Sequence, residues 1–137
     1  MVTEMEVERA LAGLLGEKLE GLRVAAPVED VARLPERWVL VHFTGCRELV
    51  PGNRTVWHDG EVELTLPAGL PEDAEGVYAG VCGALAEVLS GLQEERWLVC
   101  GVNGAVYVYE ARCGSYSVGI EGAAWVLRCS FSLVVQY

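Results

Sequence analysis

The residues with the most latent chemistry are two histidines, His42 and His58, and five cysteines at positions 46, 82, 100, 113 and 129. His42 and Cys46 form a His-x3-Cys pair, with His58 further along, and these are ligand types that suit zinc. Zinc sites normally show tighter paired spacing and a fuller ligand set. Each histidine therefore reads as a strand residue, and no metal is expected. Cys113-Gly114-Ser115-Tyr116 faintly resembles a thiol-protease nucleophile segment, but it lacks the second cysteine and no helical pattern follows it. There is no GxSxG elbow, no P-loop and no GxGxxG after a strand. Glu61 and Glu63 point to one face and could be cast as paired carboxylates, but on a hairpin they read as a solvated face. Trp38, Trp57, Trp97 and Trp125, with five tyrosines, could line a pocket; at strand parity positions they read as core or as interface anchors. The expectation is a protein that is not an enzyme and carries no cofactor.

Composition agrees with a folded, non-exported domain. In a chain of 137 residues, 52% apolar and 22% charged, there is material for one core and no sign of disorder. No apolar run reaches the length of a membrane span. The start, Met1-Val2-Thr3-Glu4-Met5-Glu6, is acidic and has no signal-peptide core, so the cysteines are expected to be reduced and buried, and the Asn53-Arg54-Thr55 sequon idle. A net charge of −10 argues against docking on nucleic-acid phosphates, yet suits a surface past which DNA slides without sticking. Nine of the ten basic residues are arginine, which reads first as codon bias, although arginine also suits interface pairing better than lysine.

The elements that must position these groups are legible as patterns. Thr3 to Leu22 reads as an amphipathic helix with a Thr3/Glu6 capping box, Val7, Leu11, Leu14, Leu15, Leu19 and Leu22 on one side, and Gly21 at its stop. Val24 to Arg37 reads as a connector, with a short helical turn at Val28 to Leu34. Trp38 to Thr44 is a strand apolar on both parities, hence central. Gly45 to Asn53 reads as a loop, and Asp59-Gly60 as the turn of a hairpin between Arg54–His58 and Glu61–Leu66. Glu72 to Leu92 is a second helix, apolar nearly all round, whose extra face needs the first helix or a neighbouring subunit to cover it. Asn103-Gly104 closes a second hairpin between Trp97–Val102 and Ala105–Arg112, and Gly114 to Gly122 reads as a glycine-rich loop. From Ala124 to Tyr137, Trp125, Leu127, Cys129, Phe131, Leu133 and Val135 alternate with Arg128, Ser130, Ser132 and Gln136: one long strand that carries structure to the last residue. The fold class expected is α+β, a single domain with a mainly antiparallel sheet of about five to six strands and two helices on one face.

Taken together, the N-terminal helix and connector, the strand Trp38 to Thr44, the acidic hairpin Asn53 to Leu66, the Ala-rich helix Tyr78 to Leu92 and the closing strand Arg128 to Tyr137 resemble the tail-terminator and tail-completion proteins of long-tailed bacteriophages. The resemblance covers essentially the whole chain, although Val50 to Asn53 is short where many members carry a longer loop. It implies a structural virion protein, assembled in the host cytoplasm. It would form a homo-oligomeric, commonly hexameric ring that caps the tail tube and joins it to the head connector and neck proteins, with DNA passing through unbound and no membrane involved. Closed rings need head-to-tail contacts between different faces. The subunit interface expected here takes in Gly80, Gly83, Ala84 and Glu87 with Arg54, Tyr116 and Arg128, while Glu61 and Glu63 are the acidic residues expected to face the channel. Two other classes would share the element pattern: a ferredoxin-like ligand-binding or small regulatory domain, and a small enzyme with a pocket uniting Cys113 or His58 with a carboxylate.

Overall fold

The structure, a computed structural model, describes residues 2–19, 22–26, 38–67, 71–122 and 124–137. Helix α1 (Glu4–Lys18) opens with the expected capping box. The Thr3 hydroxyl accepts from the Glu6 amide, and the Glu6 carboxylate accepts from the Thr3 amide, both at 3.3 Å. It stops a turn earlier than its apolar period suggests, with Leu19 as C-cap. Strand β1 (Arg23–Ala25) occupies the start of the expected connector and runs parallel to β2 (Trp38–Val50). The expected turn at Val28 to Leu34 and the stop at Gly21 lie outside the described residues.

Strands β2 and β3 (Thr55–Pro67) form one long antiparallel hairpin, and its turn is not at Asp59-Gly60. The chain reverses at Pro51–Arg54, in the segment read as a loop, where Gly52 has φ +83°. The Glu48 carboxylate accepts from the Gly52 amide at 3.1 Å, and the Asn53 side chain accepts from the Thr55 amide at 3.0 Å. These two side-chain caps satisfy the turn's amides and outcompete the Asp-Gly signal. Gly60 is needed for a different reason. It sits mid-strand directly opposite Phe131, whose ring lies over its Cα where any Cβ would collide.

Helix α2 (Pro71–Glu95) leads to β4 (Trp97–Val99), a single 3-10 turn at Gly101–Asn103, β5 (Ala105–Glu121) and β6 (Ala124–Gln136). The turn before β5 matches the Asn103-Gly104 expectation, closed by the Cys100 amide donating to the Gly104 carbonyl at 2.7 Å. The segment Gly114 to Gly122 is not a loop: β5 runs through it, paired with β6 as far as Glu121↔Ala124. Its glycines misled because one of them, Gly114, falls in a bulge between Cys113 and Tyr116.

The sheet order is β1-β2-β3-β6-β5-β4, with β1–β2 the parallel pair and the other pairings antiparallel. This is the α+β class expected. The buried parity of the central strands (Val39, Val41, Val62, Leu64, Leu127, Cys129, Phe131, Leu133, Val135) meets Val7, Leu11 and Leu15 of α1 and Val81, Leu85, Val88 and Leu89 of α2 in one core. Each such side chain contributes roughly 1.5–3 kcal/mol through burial. The remaining side of α2, including Gly80, Gly83, Ala86 and Glu87, is open among the described residues.

Because Phe131 fills the space over Gly60, Gly60→Ala is expected to destabilise the fold by about 1–3 kcal/mol in urea unfolding. Phe131→Leu in the same chain should recover part of that loss, whereas a turn glycine would show no dependence on residue 131.

Candidate assembly surface

The strands outrun the helices laid on them. At ~3.3 Å per residue β5 spans roughly 55 Å, while the 25 residues of α2 at 1.5 Å per residue span roughly 37 Å. The helix C-terminal end is fastened to the first half of β5. Gln93 Oε1 accepts from the Ala111 amide at 2.8 Å, and Arg96 Nη1 donates to the Tyr109 carbonyl at 2.5 Å. Beyond Ala111 every residue of β5 is exposed. On this stretch Tyr116, Val118 and Ile120 stand opposite Cys129, Leu127 and Trp125, on the face that carries the helices. They are 70%, 44% and 60% exposed.

This same stretch is an open edge. Strand β4 pairs only with Ala105–Tyr107, so among the described residues Arg112–Glu121 has no second neighbour. At the opposite side of the sheet β1 covers only Trp38–Leu40 of β2. There the buried Glu8 carboxylate accepts from the Phe43 amide at 2.7 Å, which blunts one position of that edge. Thr44 to Val50 beyond it are exposed. Among the described residues the sheet thus has two unpaired strand edges, on its opposite sides.

The other face of the sheet is ionic. Arg128 on β6 donates from both terminal nitrogens to the two Glu121 oxygens at 2.8 and 2.9 Å, and its Nε lies 3.7 Å from Glu63. His42 approaches Glu61 at 3.6 Å. The hydrogen bonds from Arg128 hold the Glu121 carboxyl below its ordinary range and raise the guanidinium correspondingly. Glu61 and Glu63 are therefore half-buried members of a mixed-charge cluster, not a free acidic wall.

The residues nominated from sequence fall on separate surfaces. Gly80, Gly83 and Glu87 lie on the open side of α2, with Glu87 3.2 Å from Lys18. Ala84 does not belong with them: it is 8% exposed and turned into the core, one residue past the small-residue face. Arg54 lies in the β2–β3 turn, its carbonyl accepting from the Tyr137 amide at 3.0 Å. Tyr116 and Arg128 are on adjacent paired strands but opposite faces, since Arg128 pairs with Ser117. Val118 and Ile120 were missed because three nearby glycines read as loop. The alternation Tyr116, Val118, Ile120 was the available signal.

Of the groups weighed for catalysis, Cys113 and His58 do not meet. Cys113 on β5 and His58 on β3 are separated by the width of β6. Desolvation pushes the Cys113 thiol up, Cys100 up to about 11 and Cys129 up to about 12, which leaves them protonated and poor nucleophiles. The His42–Cys46 spacing does not form a pair either. Register sets Cys46 directly against His58, with Glu4 of α1 close by, while His42 groups with Glu61 and Glu63. Among the described residues no helix is long and apolar enough to cross a membrane.

No family model matches the chain, and no curated protein matches it. Solved structures do share its fold. A chain from the virion of a native gene transfer agent particle superposes with a TM-score of 0.53 at 16% identity, covering 93% of this chain and 84% of that one. A second solved protein, which carries no functional name, superposes at 0.55 and 19% identity over 95% and 90% of the two chains. At such identities the likeness is one of fold.

Because Glu121 titrates low in the folded protein, its pairing with Arg128 contributes above the ordinary carboxylate range and is lost as pH falls through the lowered value. Carboxyl-detected NMR should show Glu121 titrating below the usual 4.5, and Arg128→Gln should return it to that value.

Proposed function

We propose that this protein is a ring-forming structural component of a phage-like virion, acting as a tail terminator or tail-completion protein that caps the tail tube and meets the head connector. The observation that carries this reading is the exposed, unpaired outer half of β5, with Tyr116, Val118 and Ile120 displayed along it. An apolar stripe on a free strand edge is an aggregation hazard in a monomer and a docking surface in an assembly. The second free edge, on β2 at the other side of the sheet, supplies a different face for the next subunit, as a closed head-to-tail ring requires. The fold shared with a chain of a gene transfer agent virion supports the same class of role.

In this reading the subunit has no catalytic work. The raised thiol of Cys113 and its separation from His58 by β6 support that view. With a net charge of −10, the ring lets DNA pass without holding it. The observed order, α-β-β-β-α-β-β-β, also departs from the β-α-β-β-α-β order of a ferredoxin-like binding domain.

Light scattering across a concentration series, alone and with tail tubes added, tests the proposal. The wild-type chain should form a discrete ring or a monomer–ring equilibrium. Tyr116→Glu with Ile120→Glu should weaken association at least about tenfold, or ~1.4 kcal/mol, with an unchanged far-UV spectrum. Ala84→Glu should instead unfold the subunit, because it buries a charge in the core. A wild-type chain that stays monomeric with and without tubes, or a double variant that assembles normally, sinks the proposal.

A further inference from the structure

On the open stretch of β2 and the strand beside it, three ligand types from three elements converge at the start of α1. Cys46 on β2 and His58 on β3 are direct cross-strand partners, and Glu4 comes from the first turn of the helix. One ligand atom from each, the Cys46 thiol sulfur, a His58 ring nitrogen and a Glu4 carboxylate oxygen, lie within 4.8 Å of one another.

His58 distinguishes this cluster from a chance surface grouping. Its side chain is fully buried, stacked on Phe43 with ring centroids 4.2 Å apart and met edge-on by Tyr137. Nε2 lies 2.8 Å from the Tyr137 hydroxyl, and Nδ1 has no partner although it is buried. An orphaned polar atom at such a site needs an explanation. If Nε2–H donates to the Tyr137 oxygen, Nδ1 carries the lone pair, and an imidazole held in one tautomer by an outer hydrogen bond is the usual form of a metal-ligating histidine.

We propose that Glu4, Cys46 and His58 form a site for one divalent ion of zinc's class, with a fourth position open to solvent. Sulfur and imidazole ligands select such an ion over magnesium or calcium. Tetrahedral zinc holds its ligand atoms roughly 3.5 Å apart, a separation that Glu4 and Cys46, both exposed, reach by turning their side chains toward the fixed imidazole. Binding replaces the thiol proton by the metal and releases that proton to solvent. The second acidic group, His42 with Glu61 and Glu63, has no thiol and sits beside the Arg128 cation. The bound ion would tie the first turn of α1 to the β2–β3 hairpin. This inference stands whether or not the assembly reading holds.

The test uses the full chain, stripped with chelator and kept reduced without added thiol, titrated with Zn2+ against a chromophoric chelator and with Co2+ by absorption. The expected result is one ion per chain, a thiolate-to-cobalt charge-transfer band, and a thermal midpoint that rises with Zn2+. Cys46→Ser should abolish the band and weaken Zn2+ at least about tenfold, and Glu4→Gln should weaken it as well. Both sites are exposed, so these variants fold, whereas Cys113→Ser and His42→Gln should bind as the wild type does. Absence of binding, or a charge-transfer band that survives Cys46→Ser, overturns the proposal.

Discussion

Everything in this fold hangs on the pairing of β3 with β6. Thirteen residues of each strand pair without interruption, from Thr55↔Gln136 to Pro67↔Ala124. The flanking ladders, β2–β3 and β5–β6, each carry two register shifts. Because side chains alternate with a period of two, a slip of one residue in the central ladder would turn Leu64, Val62, Leu127 and Cys129 out of the core together. The Gly60–Phe131 contact guards against that slip, since it admits the ring at one position along β3. The bulges lie farther out, where they bend the flanking strands without disturbing the core register.

Around this pair the chain is laid out as two α-β-β-β halves, one ending in β3 and the other in β6. The halves differ in detail, as β1 runs parallel to its neighbour and β4 antiparallel. Both outermost strands are three residues long and leave most of the adjacent long strand unpaired among the described residues. The two free edges are thus a direct product of the layout. They lie on opposite sides of the sheet and are not equivalent: the β2 edge is partly stopped by the Glu8 carboxylate, and the β5 edge carries an apolar stripe. Non-equivalence of this kind favours contacts between unlike surfaces over pairing of like with like.

Sequence periodicity revealed the class, both helices, the capping box at Thr3 and the alternation of β6, because each depends on local pattern and burial. It failed where a local signal competed with a tertiary contact. Asp59-Gly60 is a strong turn dipeptide, but here the glycine answers to a phenylalanine 71 residues away, which no local window registers. The glycines at 114, 119 and 122 hid a strand for a similar reason: the hydrogen bonds that sustain it come from β6. Strand β1 is too short to show a period. For the surfaces, Gly80 and Gly83 were found on the open side of α2, but Ala84 was grouped with them by composition when helical geometry turns it inward. The meeting of Cys46 with His58 was illegible, because it follows from a register set by a turn that had been placed elsewhere.

The layout also constrains the order in which the molecule can be made. The central slot between β3 and β5 is filled by β6, the latest of the six strands along the chain. Until β6 arrives, β3 presents an unsatisfied ladder on its inner side, and α2 has no completed platform to rest on. A nascent chain emerging from a ribosome therefore passes through a stage in which two hairpins exist but cannot meet productively. Closing the sheet from its middle makes the decisive contacts long-range, which slows folding and lengthens exposure of sticky strands. Chaperones that shield β3 and β5 at that stage would then raise the yield of folded chain.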